Sequence, residues 1–152
     1  MPASRPPSQS SFPDQRPARG RAVYEATTDD LLVRVEPRYL PDQSDPLEGR
    51  YFWAYTVEIE NHGSSTVQLI SRRWLITDAH NRTEEVSGPG VVGEQPTLKP
   101  REAFRYSSGC PLTTPSGEMR GAYQMLRDDG ETFEVEIPAF SLHLPGAQRV
   151  VN

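Results

Sequence analysis

Cysteine is nearly absent from this chain of 152 residues, where Cys110 stands alone. One thiol cannot close an internal disulfide, which fits a reducing compartment. No run of about 18 apolar residues occurs, so no helical membrane span is expected. Arg5 near the N-terminus has no apolar segment behind it, so no secretory signal is expected. Together these absences favour a cytoplasmic location. Long amphipathic helical patterns and internal repeats are also missing. Positive charge is not in excess. The net charge is −5, which argues against specific nucleic acid as the main partner.

Soft metal ligands are scarce too. His62, His80 and His143 join Cys110, but no pair stands at i, i+2 or i, i+4 and no CxxC occurs. The acidic stretches 42–48 and 128–131 lack the ordered spacing of a calcium loop. No metal site and no cofactor are expected. Nucleophilic catalysis needs Ser or Cys beside a base. Cys110 precedes Pro111 in a Pro/Gly-rich stretch with no histidine placed near it, so no catalytic residue is assigned and the chain is expected not to be an enzyme.

What is present divides the chain unequally. Residues 1–22 hold four arginines against Asp14, a net +3, so the remainder carries −8 of the total −5. Residues 1–21 are rich in Pro, Ser, Gln and Arg, with Phe12 the only aromatic. Such a segment buries too little apolar surface to offset its ordering entropy and is expected to be a disordered tail. Residues 22–145 are expected to form one domain, and 146–152 a frayed end.

Within the domain the period is two. Val23–Thr27 and Leu31–Glu36 suit short strands, with the second ending near Leu40 between two prolines. Residues 41–50 read as a turn-rich loop. Tyr51–Glu60 is the clearest strand: Tyr51, Trp53, Tyr55, Val57 and Ile59 share one face, with Glu58 and Glu60 on the other. Thr66–Thr77 reads as its returning partner in a hairpin. Arg82–Val86, Ala103–Ser108 and Met119–Arg127 follow as strands. Residues 109–117 are expected to be a second Pro/Gly loop. Asp128-Asp129-Gly130 is a hairpin turn leading to Thr132–Ile137. Pro138 interrupts there, and Phe140, Leu142 and Leu144 continue an edge strand. Eight or nine strands with regular turns predict an all-β antiparallel sandwich or barrel.

The stretch Gly88–Pro96 contains Gly88-x-Gly90-x-x-Gly93, the spacing of a dinucleotide fingerprint. That fingerprint works because a helix follows and aims its N-terminus at the pyrophosphate. Here Pro96 and Pro100 follow, no helix of useful length fits, and no Walker lysine stands after Gly93. The spacing reads better as a tight connection stiffened by Pro89. Val91 and Val92 are expected to anchor it to the core. A shallow anion site of backbone N–H groups is the alternative. Gly88, Pro89, Gly90, Gly93 and Gln95 are the candidate residues for either partner or anion. Arg72 and Arg73 interrupt an apolar strand, Arg72 on the face of Ile70 and Trp74, Arg73 on that of Leu69 and Leu75. One of them is expected over an aromatic ring or against a carboxylate. With Arg120, and with Arg101 and Arg105, they are the candidate basic interaction face.

Several long stretches then occur in one order: Tyr51-Phe52-Trp53-Ala54-Tyr55, Ser71-Arg72-Arg73-Trp74, the run Val86 to Pro96, Tyr106 to Leu112, Pro115 to Gly121, and Val135-Glu136-Ile137-Pro138. From about Tyr24 to Leu144 the chain resembles the ApaG family. The resemblance implies a fibronectin type III-like or immunoglobulin-like antiparallel β-sandwich. Bacterial members take their name from a genetic neighbourhood that includes diadenosine tetraphosphate hydrolysis, and are linked to cobalt and magnesium tolerance. Related domains in eukaryotic F-box and polymerase-interacting proteins look like interaction modules. The family has no established catalytic machinery, and its glycine motif once invited a nucleotide-binding reading. The expectation is therefore a non-enzymatic module with an unidentified protein partner, and a weak nucleotide or pyrophosphate binder as the alternative.

Overall fold

The computed structural model describes residues 22–145. The expectations for residues 1–21 and 146–152 lie outside the described residues. Among the described residues nine strands form: β1 Tyr24–Thr28, β2 Leu31–Tyr39, β3 Tyr51–Asn61, β4 Val67–Asp78, β5 Thr83–Pro89, β6 Thr97–Leu98, β7 Ala103–Leu112, β8 Gly117–Arg127 and β9 Thr132–Leu142. One sheet runs β1-β2-β3-β7 and the other β5-β4-β8-β9, with β6 beside the start of β4. All the pairings are antiparallel. The chain is a two-sheet β-sandwich.

Alternation explains the core. Trp53, Tyr55, Val57 and Ile59 on β3 share one buried core with Trp74 on β4 and Phe140 on β9. Tyr55, Trp74 and Phe140 form a triangle with ring centroids 5.3, 5.8 and 5.9 Å apart. Such tilted and edge-on pairs each add roughly 0.5–1.5 kcal/mol beyond the area they bury. Met119–Arg127, helical by residue type, lies within strand β8, and Met119, Tyr123 and Met125 are buried as its alternation requires.

Four details differ from expectation. First, β3 and β4 are not a hairpin; they belong to different sheets. The chain arches between layers over residues 62–66. Buried Asn61 holds the arch: its Nδ2 donates to the carbonyls of Ser65 (2.9 Å) and Leu98 (3.0 Å), and its Oδ1 accepts the Gly63 amide (2.9 Å). Second, β7 continues through Gly109, Cys110 and Pro111, so the second Pro/Gly loop shrinks to residues 113–116. Third, β5 reaches Pro89, which places Gly88 and Pro89 in a strand rather than a loop. Fourth, β4 carries a bulge at Ile70, between Leu69 and Ser71. The buried face of β4 therefore switches from Val67 and Leu69 to Trp74.

Proline is tolerated because each strand proline sits where a ladder is open. Pro89 ends edge strand β5, and Pro111 lies in β7, which among the described residues pairs only with β3. Pro138 lies in edge strand β9 where the register to β8 shifts. Pro37 extends β2 beyond the last β1 pairing, Tyr24 with Val35.

Candidate functional site

The glycine stretch is built on the Ile70 bulge. With no partner on β8, the Ile70 carbonyl accepts the Gly90 amide (2.8 Å) and the Gln95 side-chain amide (2.9 Å). Gln68 donates to the Gln95 carbonyl (3.0 Å), and the Leu69 amide to the Pro96 carbonyl (2.9 Å). Val91 and Glu94 exchange both backbone hydrogen bonds, at 2.8 and 2.9 Å. A two-residue hairpin results, with Val92 and Gly93 at its corner. Both have positive φ, 42° and 83°, the signs of a type I′ turn.

Each motif glycine has a local reason. Gly90 has φ 59°, and a Cβ there would lie 2.2 Å from the Glu94 carbonyl oxygen. Gly88 pairs with Arg72 across β4 and β5, and a Cβ on it would stand 3.1 Å from Arg72 Nη1. Gly93 supplies the second positive φ of the hairpin. The spacing needs no dinucleotide to explain it.

Arg72 shares the face of Trp74, as expected, but meets neither ring face nor carboxylate among the described residues. Its Nη1 donates to the carbonyls of Pro89 (3.0 Å) and Gly90 (2.9 Å). Opposite it on β8 stands the buried Tyr123. The Tyr106 and Tyr123 hydroxyls pair at 2.5 Å. Burial pushes both phenols up, well above their ordinary range. Burial first, and then the Glu84 charge, pushes the Cys110 thiol up to about 12, the direction that disfavours the thiolate.

The anticipated basic face divides. Arg73 and Arg120 are both exposed on the outer face of the β5-β4-β8-β9 sheet, Arg73 opposite Ala122 and Arg120 opposite Leu75. Arg72 points away from them, into the loop. Arg105 lies on β7 in the other sheet, and Arg101 sits in a turn at φ 72°. Glu85 faces Leu75 from β5, and Glu136 faces Ala122 from β9, so the arginines lie among carboxylates. Register decides this, and a single sequence does not display it.

Two features were missed. Val91 is the anchor (0% exposed), but Val92 points outward and is 54% exposed. Type I′ corners favour Asn-Gly, so Val-Gly hides the turn. The other is an ionic network on the outer face of the first sheet. Arg34 binds Glu25 (2.7 Å) and Glu60, and lies 3.8 Å from Glu58. Glu58 is 5% exposed, and its Oε1 is buried without a hydrogen bond among the described residues. Burial and then the Glu60 charge raise its pKa to about 6.

An antiparallel sandwich carrying a braced, glycine-shaped hairpin on one edge is the class that these elements define. The ApaG domain model matches residues 41–127. The ApaG protein of Caulobacter vibrioides is 65% identical over 131 residues, 86% of this chain and 94% of that protein. That of Brucella anthropi is 58% identical over 130 residues, 86% of this chain and all of that protein. The crystal structure of an ApaA protein from Bordetella pertussis aligns with TM-score 0.75 at 55% identity, covering 76% of this chain and 94% of that one. The chain belongs to the ApaG family.

Proposed function

We propose that the chain is a non-enzymatic protein-interaction module and that it engages its partner with the hairpin tip at Val92. The exposed Val92 at φ 42° carries this reading. A β-branched residue at positive φ is a backbone outlier, and an outlier held by its surroundings is a reason to look for function. Asn or Gly would fit the corner without strain, yet valine presents its methyls there. Leu47, also exposed, has no such backbone penalty. Bracing by Arg72, Gln68 and Gln95 keeps the tip preorganised, which lowers the entropic cost of association. The test is a quantitative pull-down with the full chain. Val92→Asp should lose a partner that Arg73→Glu retains. Retention of every partner by Val92→Asp would exclude the tip.

Binding of a nucleotide or pyrophosphate is the second reading. It rests on the motif and on the tip amides of Val92 and Gly93, which make no backbone hydrogen bond among the described residues. Against it, the Gly90, Val91 and Glu94 amides are already spent within the fold. Arg72 Nη1 is spent on carbonyls. Amide shifts on titration with pyrophosphate distinguish the two.

A further inference from the structure

A second surface lies at the other end of β5. The chain advances six residues from Glu84 to Gly90, about 20 Å of extended strand, so this surface is separate from the hairpin. A cleft of about 400 Å³ opens where the 41–50 turns meet the start of β3 and the end of β7. That is a usual volume for a ligand cleft, roughly 300–1,000 Å³. Its apolar walls are Tyr51, Phe52, Pro111 and Leu112.

Three charges line the cleft: Arg50, Asp78 and Glu84. Two are matched within the fold. Arg50 faces Asp45 at 3.4 Å. Asp78 accepts from Arg82 Nε at 3.2 Å and from the His80 and Arg82 amides. Those contacts, led by the Arg82 amide, hold its carboxyl below the usual range. Glu84 makes no hydrogen bond or ion pair among the described residues. It stands opposite Ile76, on the same side of β5 as Val86, whose partner Trp74 is buried. Glu84 is itself exposed and lines the cleft from the open edge of the sandwich. An exposed carboxylate with no ion-pair partner among the described residues, set beside aromatic and aliphatic walls, is complementary to a cation with an apolar stem.

We propose that this cleft binds an arginine side chain from an extended partner segment, its guanidinium at Glu84 and its neighbours against Phe52 and Pro111. Arginine suits the site better than lysine, because a planar guanidinium pairs with a carboxylate while its face rests on an aromatic ring. The charge is the specific element, and the apolar walls supply contact area.

The test is a ¹H–¹⁵N titration of the full chain with acetyl-Leu-Arg-Leu-amide, compared with the same peptide carrying citrulline. Citrulline keeps the shape of arginine and removes its charge. The arginine peptide should shift the amides of Tyr51, Glu84, Leu112 and Thr113. Its affinity should be at least about threefold greater than that of the citrulline peptide, the scale of one exposed ion pair. Glu84→Gln should remove that difference and leave the rest of the spectrum in place. Equal affinity for both peptides, or no shifts around the cleft at millimolar peptide, overturns the proposal. Val92→Asn leaves this titration unchanged, so the cleft and the hairpin stand or fall separately.

Discussion

Arg72 and Gly88 face each other across β4 and β5, and the guanidinium fills the space that a side chain at 88 would need. A Cβ on Gly88 would come 3.1 Å from Nη1, the atom that donates to Pro89 and Gly90. The first glycine of the motif and the arginine that braces the loop are therefore one device. Gly88→Ala and Arg72→Ala should each destabilise the fold, Arg72→Ala by about 1.5–3 kcal/mol for its charge-assisted hydrogen bonds. The double variant should cost less than the sum, by at least about 0.5 kcal/mol. Urea unfolding of the four proteins checks this; strict additivity would separate the two residues.

The motif glycines should rank by their surroundings. Gly90→Ala combines positive φ with a contact of 2.2 Å to backbone and should cost roughly 2–4 kcal/mol. Gly93 has nothing within 4 Å of a built Cβ. Gly93→Ala should cost only the left-handed penalty, about 1–2 kcal/mol. Equal costs from denaturant midpoints would contradict the ranking. A nucleotide-binding motif predicts no such order.

Glu58 gives a pH signature. Its folded pKa, about 6, lies above the ordinary carboxyl value of 4.5, so the folded state binds the proton more tightly. Stability linked to this group is complete below pH 4.5 and is lost as pH rises through 6. The rise from 4.5 to about 6 corresponds to about 2 kcal/mol at most. Glu58→Gln, which removes the charge, should raise stability by about 1–2 kcal/mol at pH 7.5. The gain should vanish below pH 4.5. A gain that grows on acidification would reverse the sign and refute the account of Glu58.

Pyrophosphate should leave the amides of Val92 and Gly93 unshifted at millimolar concentration. Saturable shifts confined to residues 88–95 would support the second reading over the first.

The fold was largely legible because strand alternation is a local signal. Tyr51 to Ile59 declared their buried face, and Asp-Gly at 129–130 marked the β8–β9 hairpin. What escaped depends on partners distant in sequence. An arch of five residues between β3 and β4 has the length of a hairpin loop, and only the Asn61 bonds to Ser65 and Leu98 distinguish it. The Ile70 bulge needs the β8 register to be seen. Glu58 and Glu60 looked like solvated outer-face residues, yet Arg34, 26 positions from Glu60, belongs to the network that surrounds them. At the site, the glycines signalled a turn, but valine at a type I′ corner carried no turn signal.

The most direct test of the central claim is Val92→Asn, read for stability and partner retention in one preparation. Asparagine tolerates positive φ, so the account predicts a fold more stable by about 0.5–1 kcal/mol together with loss of the partner that the unaltered chain retains. A variant that is less stable, or one that keeps the partner, would contradict the claim that valine is held there against its backbone preference for binding.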